Sequence, residues 1–413
     1  MATIHHQLPT AELNGLSAQN RTKKILYLYS KTGGGHLASA KAIIEALDEI
    51  EPGIFEHTMV DFIESTSQFM NLFAKSYGPL IKYAPWAYGY AYDLLNRDIP
   101  LAVWEKFGHT FMNEKLERAV LDAKPAAIIS VHPEANYLLS RVLRTQNLKI
   151  PFIVVVTDLI NYHKSWLGCT PYNTIEDTLS EAIVPTKQAY DLAIQYNCPE
   201  HKLRHISLPL RKQFNGISQD SQNKNGFVVT IMGGGDGAGK IEKIAKELLD
   251  AGYDGTIRII AGNNSKLKGK LEMLKSKHPN GGWMDVYGFH SDIRSLLETT
   301  DILVTKAGPG SIAEALVCKT PMIINYWVPG QETANTEFVS KNGYGYCIIN
   351  PKQIAKKIMY LKNKRKELNR LKRNIQRENF KNGSLEIARR IIFHIKENAP
   401  RSFKEEPLKA QSA

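Results

Sequence analysis

Short apolar runs, separated by polar stretches with helical periodicity, set the rhythm of this chain. KKILYLYS (Lys23–Ser30), HTMVDFI (His57–Ile63), AAIISVHP (Ala126–Pro133) and PFIVVVTDL (Pro151–Leu159) are rich in β-branched or aromatic residues and read as strands. The first runs through KTGGGH into LASAKAIIEALDEI, a helix pattern, so it is strand, glycine turn, helix. Such alternation predicts a parallel sheet with crossover helices. The rhythm restarts at Gly226, where GFVVTIMGGGDGAGKIEKIAKELLDAG is again strand, glycine turn, helix. TIRIIAGNN, MDVYGF, DILVTKAGPG and MIINYW supply further strands. The fold class is α/β, with two Rossmann-like, doubly wound domains facing a cleft. A polar, turn-rich stretch over Leu208–Asn225 marks the boundary. The expected division is a flexible leader (1–22), a first domain (23–207), a second domain (208–378), a helix returning to the first domain (379–398) and a disordered tail (399–413).

Composition narrows the class. The 413 residues suit two α/β domains, and 43% hydrophobic with 23% charged residues is the balance of a folded globular protein. The net charge of +12 favours an anionic partner: nucleic acid, an acidic lipid surface or a phosphorylated substrate. No zinc-finger or RNA-recognition signature accompanies the charge, so no nucleic acid is expected. The four cysteines form no C-x-x-C pair, which argues against a zinc site or a disulfide framework. The leader lacks the apolar core of a secretory signal, and no apolar run is long enough to cross a membrane. Two stretches stand out. Residues 62–115 are crowded with aromatics, and residues 352–377 form a basic, helix-like segment. Either reads as ordinary packing or a solvated face, or as a contact with lipid.

A strand that ends in glycines and opens a helix brings backbone N–H groups and a positive helix end to a phosphate. Gly33, Gly34 and Gly35 fit in the first half; Gly233, Gly234, Gly235, Gly237 and Gly239 fit in the second. Gly234, Gly239 and Lys240 have the spacing of a nucleotide-binding P-loop, but Ile241 stands where Ser or Thr would hold magnesium. The dinucleotide pattern G-x-G-x-x-G fits no better, and no acidic ribose ligand follows at the right spacing. His36, just after the first loop at a helix N-terminus, is expected to stay neutral and able to act as a base. His132, Asp158 and His163 end or follow strands, where α/β sheets place ligands; Asp158 is the reserve base, and no metal site is expected. Glu314 is expected in the first helical turn after TKAGPGS, as a cap or a ribose ligand. Gln331, Glu332 and Asn335 carry polar groups suited to sugar hydroxyls.

Taken together, TGGGHLASA, SVHP, VVTDL, HKSW, MGGGDGAGKIE, AGNN, VYGF, TKAGPGSIAEAL and PGQETAN resemble the monogalactosyldiacylglycerol synthase family, from about Lys23 to about Gly345. That family groups with the lipid-sugar transferases of the MurG type and has a GT-B fold. The resemblance implies that the second domain binds a UDP-sugar and the first receives the lipid. It places Gly234, Gly235 and Gly237 at the diphosphate and Phe289 near uracil. It puts Glu314 on the ribose, Gly310 and Ser311 at the phosphates, and Gln331, Glu332 and Asn335 on the donor sugar. His36 matches the base, and Gly35, His163 and Trp166 lie on the acceptor side. Lys164 replaces a proline of the family's pattern, and Gly168–Leu179 departs from the plant-type sequence. The implied reaction inverts the sugar: His36, or else Asp158, deprotonates the sn-3 hydroxyl of 1,2-diacylglycerol, which attacks the sugar of UDP-galactose or UDP-glucose. Lys306 helps stabilise the leaving UDP. No cofactor is implied. The enzyme would sit as a peripheral protein on the cytoplasmic face, in contact with anionic membrane lipids. A polyprenyl-linked acceptor, an epimerase of the same fold, or a UDP-sugar sensor without catalysis are the rival readings.

Overall fold

A computed structural model describes residues 22–31, 34–61, 80, 84–168, 174–216, 226–235 and 237–398. The leader up to residue 21, Gly33, residues 62–79 of the aromatic stretch, most of the boundary segment and the tail 399–413 lie outside the described residues.

The first domain threads β1 (Lys23–Tyr29), α1 (Gly35–Ile50), β2 (Phe55–Asp61), α2 (Pro85–Leu95), α3 (Asp98–Ala123), β3 (Ala127–Ser130), α4 (Asn136–Thr145), β4 (Phe152–Val155), β5 (Leu179–Val184), α5 (Lys187–Gln195) and β6 (Leu203–His205). The second continues with β7 (Val228–Met232), α6 (Ile241–Asp250), β8 (Thr256–Ile260), α7 (Ser265–Lys277), β9 (Met284–Tyr287), α8 (Ile293–Glu298), β10 (Ile302–Lys306), α9 (Pro309–Val317), β11 (Met322–Tyr326), α10 (Thr333–Lys341), β12 (Gly345–Cys347), α11 (Pro351–Asn363) and α12 (Arg365–Glu378). The last helix, α13 (Ser384–Glu397), packs on α1 of the first domain.

Each domain holds a six-stranded sheet with every pairing parallel, in the orders β2-β1-β3-β4-β5-β6 and β12-β11-β10-β7-β8-β9. Period-two alternation builds both cores. In β1, Ile25, Tyr27 and Tyr29 join Ile43 and Leu47 of α1 and Ile387 and Ile391 of α13. Leu26 and Leu28 face the other way, toward Val120 of α3 and Leu139 of α4. Strand order reverses between β1 and β3 in one sheet and between β7 and β10 in the other. Those two switch points are where doubly wound sheets open a crevice for ligands, and the glycine loops leave β1 and β7.

Several expected strands are shorter than their apolar runs: Ala126–Pro133 shrinks to Ala127–Ser130 because His132 turns the chain into a short 3-10 helix, Pro133–Ala135. The run Pro151–Leu159 likewise pairs only over Phe152–Val155.

Candidate active site

Gly34 adopts a left-handed φ of 74°, which turns the chain from β1 into α1 and sets His36 in the first helical turn. His36 Nδ1 lies 2.7 Å from the Val131 carbonyl oxygen and 3.0 Å from Thr157 Oγ1. A carbonyl only accepts, so Nδ1 carries the proton and Nε2 is the nitrogen free to take one. The ring stands edge-on to His132, 4.7 Å between centroids, and 6.1 Å from Trp166. Burial lowers the proton affinity of His36; the Asp158 carboxylate and the Val131 carbonyl act against it. Burial, with His36 as neighbour, holds His132 neutral as well, well below the usual histidine range.

Asp158 is almost fully buried, yet both its oxygens are engaged. Oδ2 accepts from the Trp166 indole N–H at 2.7 Å, and Oδ1 accepts from the Gln331 amide at 3.1 Å. Burial pushes its carboxyl up, against the pull of His36 and these two hydrogen bonds. Trp166 is wholly enclosed in the core of the first domain. His163 caps the short helix Lys164–Trp166: its Nδ1 accepts from the Ser165 backbone N–H at 3.2 Å and meets the Ser165 hydroxyl at 2.8 Å. Burial lowers its pKa to about 4. His132, Asp158 and His163 thus each serve separate hydrogen bonds, and the described residues contain no cluster of three or more His, Cys, Asp or Glu that could hold a metal.

In the second domain, the Gly233–Gly239 loop folds tightly on itself. Ala238 N–H donates to Gly233 O at 2.9 Å and Gly237 N–H to Gly234 O at 3.2 Å. Asn263 N–H, from the AGNN turn, reaches Gly235 O at 2.8 Å. A side chain on Gly233 would place its Cβ 2.1 Å from Ala238 O, so only glycine fits. Lys306, the last residue of β10, lies beside this loop, with its Cε 3.4 Å from where a Gly234 Cβ would be. Its Nζ pairs with Glu332 Oε1 at 2.8 Å, while Glu332 Oε2 accepts the Val328 N–H at 2.9 Å. Gly310 and Ser311 occupy the first turn of α9, capped by Gly308 and started by Pro309. Asn335, buried in α10, donates to Ala307 O at 2.9 Å. Phe289 projects from the loop after β9, 67% exposed. The cavity of about 540 Å³ beside β12, lined by Lys341, Tyr346, Arg370 and Asn374, holds none of these residues.

One expectation is corrected. Glu314 is the sixth residue of α9, in its second turn, and it is not a cap. Its partner is Arg211 of the inter-domain linker, Nη2 to Oε1 at 3.4 Å; burial raises the Glu314 carboxyl and Arg211 opposes that. The structure also adds residues that sequence reasoning passed over. Thr157 and Val131 fix His36, Arg211 holds Glu314, and Asn325, the polar residue in MIINYW, sits against Gly239 (φ 92°). Tyr88, inside the flagged aromatic stretch, donates to Gln331 Oε1 at 3.3 Å. Gln331 therefore joins the two halves of the site: Tyr88 and Asp158 come from the first domain, Gln331 from the second.

Comparison with known proteins places this geometry. The profile of a family described as monogalactosyldiacylglycerol (MGDG) synthase matches residues 36–206, and that of the glycosyltransferase family 28 C-terminal domain matches residues 228–387. A chloroplastic monogalactosyldiacylglycerol synthase of Spinacia oleracea is 33% identical over 357 residues, 81% of this chain and 65% of the relative. The chain thus spans about two thirds of that relative's length. Monogalactosyldiacylglycerol synthase 3 of Arabidopsis thaliana is 30% identical over 387 residues, 88% of this chain and 79% of the relative. Among solved structures, Acinetobacter baumannii MurG superposes with a TM-score of 0.59 at 13% identity, covering 90% of this chain and 99% of its own. The fold is GT-B.

Proposed function

The chain belongs to the monogalactosyldiacylglycerol synthase family, and from that premise we propose that it transfers a hexose from a UDP-sugar to the sn-3 hydroxyl of 1,2-diacylglycerol. The observation that carries the reading is the Gln331–Asp158 contact at 3.1 Å. It sets the residues proposed to hold the donor sugar against the neighbourhood of a histidine whose Nε2 can take a proton.

In the proposed step, His36 Nε2 accepts the proton of the acceptor hydroxyl. The oxygen attacks C1 of the sugar from the face opposite the phosphate, and the C1–O bond breaks with its electron pair leaving on UDP. Single displacement gives a β-linked product from an α-linked donor. The developing charge on the diphosphate meets the Gly234–Gly237 loop, the Gly310 and Ser311 end of α9 and the Lys306 ammonium. Glu314 would hold the ribose and Phe289 would stack near uracil. Gln331, Glu332 and Asn335 would meet the sugar, though Glu332 is already committed to Lys306 and Val328, so its part is to shape the loop. Gly35 would border the acceptor, while the buried His163 and Trp166 would serve the acceptor side from behind, by holding the Lys164–Trp166 turn and Asp158. Galactose and glucose differ at one hydroxyl, and either would serve as the donor sugar.

No described helix is long and apolar enough to cross a membrane. The enzyme would work as a peripheral protein on the cytoplasmic face, where exposed Lys352, Lys356, Lys366, Arg373 and Arg377 of α11 and α12 could each add about 1 kcal/mol on anionic lipid. The test is incubation with diacylglycerol in mixed micelles containing anionic lipid, with UDP-galactose and UDP-glucose in separate reactions. Monoglycosyldiacylglycerol from one donor, lost in His36→Ala, is expected. UDP-sugar binding with no lipid product would refute the assignment.

A further inference from the structure

Helix α2 has two working faces. Trp86, Tyr90 and Leu94 recur at i, i+4 and i+8, and they are 76%, 69% and 38% exposed. The next helix, α3, which is packed on α2, adds two exposed aliphatic residues, Ile99 and Val103, both 64% exposed. Five large apolar or aromatic side chains in two adjoining helices are more than single scattered surface hydrophobics. The residues two positions along, Tyr88 and Tyr92, lie about 200° round the helix and face inward.

That inner face grips the loop proposed to hold the donor sugar. Tyr88 donates to Gln331 at 3.3 Å. At Gly89 a Cβ would come 3.2 Å from Pro329 Cβ, so glycine lets the helix backbone close on the loop. Gly330 has a φ of 79°, and its own Cβ position is 3.0 Å from the Tyr92 ring. Tyr92 stacks edge-on against His163 at 5.4 Å. The turn between α2 and α3 is fastened to the same segment: Asn96 Oδ1 accepts the Lys164 N–H at 2.8 Å, and Asp98 pairs with Lys164 Nζ at 2.6 Å.

We propose that α2 is a lipid-sensing strap: its outer stripe docks on a bilayer, and its inner tyrosines carry that docking to Gln331, so that the donor sugar binds more tightly at a lipid surface. The occupant is lipid because the stripe pairs tryptophan and tyrosine, which favour the headgroup level, with aliphatic residues. The second reason rests on the glycosyltransfer reading: an acceptor held in a bilayer must reach the cleft that α2 borders. Coupling of this kind is reciprocal, so donor sugar also tightens lipid binding by the same factor.

The test uses the full chain and vesicles of phosphatidylcholine and phosphatidylglycerol without diacylglycerol, so that no acceptor is consumed. UDP-galactose and UDP-glucose affinities are measured calorimetrically with and without vesicles, and vesicle binding by sedimentation. Wild type is expected to gain about two- to tenfold in affinity for the donor it uses, the worth of one hydrogen bond. Tyr88→Phe should still sediment and lose that gain. Trp86→Ser with Tyr90→Ser, both at exposed positions, should keep the wild-type melting temperature and need at least tenfold more vesicle to sediment. Sedimentation with equal donor affinity in both conditions overturns the coupling. Sedimentation of the Trp86/Tyr90 variant at wild-type levels overturns the docking face and points to α11 and α12. A dimer in solution that this variant abolishes, without vesicle binding, assigns the stripe to a second copy and also overturns it. Absence of lipid product in the micelle assay, with the vesicle-dependent gain intact, would instead count against the diacylglycerol assignment alone.

Discussion

Asp158→Asn tests the arrangement around His36 at its tightest point. The carboxylate receives two N–H donors, from Trp166 at 2.7 Å and Gln331 at 3.1 Å. An asparagine offers one acceptor and one donor, so it can satisfy only one of them. The Trp166 indole is fully buried and has one N–H to place, so it keeps the oxygen. The new amide N–H₂ then faces Gln331. Gln331 can turn its own oxygen toward it only by turning its N–H₂ to the Tyr88 hydroxyl, which now donates to Oε1 and would then have to accept. Either way the inter-domain chain loses its charge-assisted hydrogen bond. A bond to a charged group is worth about 1.5–3 kcal/mol, so kcat/KM is expected to fall roughly 10- to 150-fold. The pH profile moves in a defined direction. Asp158 raises the proton affinity of His36 against burial, so removing its charge lowers the His36 pKa. The acid limb of log kcat/KM against pH, which reports the free base, should shift to lower pH in the variant. Stopped assays across pH 5–8 with the donor varied measure both effects. An acid limb that stays in place or moves up would refute the Asp158–His36 coupling, whatever happens to the rate.

Two further outcomes are expected. Gly233→Ala forces a Cβ to within 2.1 Å of Ala238 O and 2.4 Å of Ala238 N, so the donor loop must open; UDP affinity measured by calorimetry should fall roughly 5- to 160-fold, the cost of about 1–3 kcal/mol of overpacking, while the fold persists. His163, with a folded pKa of about 4 against 6.5 unfolded, binds fewer protons folded than unfolded; its stabilising effect is present above pH 6.5 and is lost as pH falls toward 4. Denaturant melts at pH 6.5 and pH 5 should show wild type losing about 2 kcal/mol more than His163→Gln, at about 1.4 kcal/mol per pH unit, and equal losses would show that His163 is not held neutral.

What the sequence made legible follows from where information is local. The buried strands β1, β3, β4, β7, β10 and β11 are mostly apolar, with no carboxylate inside them, and each glycine loop announces itself by residue type. β5 was missed because Glu181 interrupts LSEAIV. In the fold that carboxylate is almost fully buried, bidentate to Arg390 at 2.6 and 2.9 Å and 3.1 Å from Arg204. Arg390 lies on α13, 209 positions away, so no window around Glu181 contains the group that makes its burial tolerable. β6 and β12, three residues each, are too short for a period to register. The site divides the same way. His36, Lys306 and Gln331 could be picked out by type and context, but Tyr88 acquires its role from a partner 243 positions off and Arg211 from one 103 off. Glu314 was placed in the wrong turn because α9 begins at Pro309, right after Gly308, and not further along.

The hinge and the donor site share a residue. Two chain crossings join the domains, and Asn382 ties them together: its Nδ2 donates to Leu210 O at 2.8 Å and Asn215 Oδ1 at 2.7 Å, and its Oδ1 accepts from Leu210 N–H at 2.8 Å. Gly383 backs directly onto Ser207, where any Cβ would lie 1.8 Å from the carbonyl oxygen. The crossing is thus rigid at Leu210, and Arg211 is the next residue out, reaching Glu314 at 3.4 Å. A ribose taking hold of Glu314 must share it with a hinge arginine. That arginine is 30% exposed and its pair long, so the contact is worth no more than about 1 kcal/mol. Giving it up costs little, so the hinge does not resist donor binding. The stronger link across the cleft is the Gln331 bridge to a buried carboxylate. Of the two polar contacts beside the donor site, the one at the sugar end, next to the base, is therefore the firmer, and the one at the ribose end the looser.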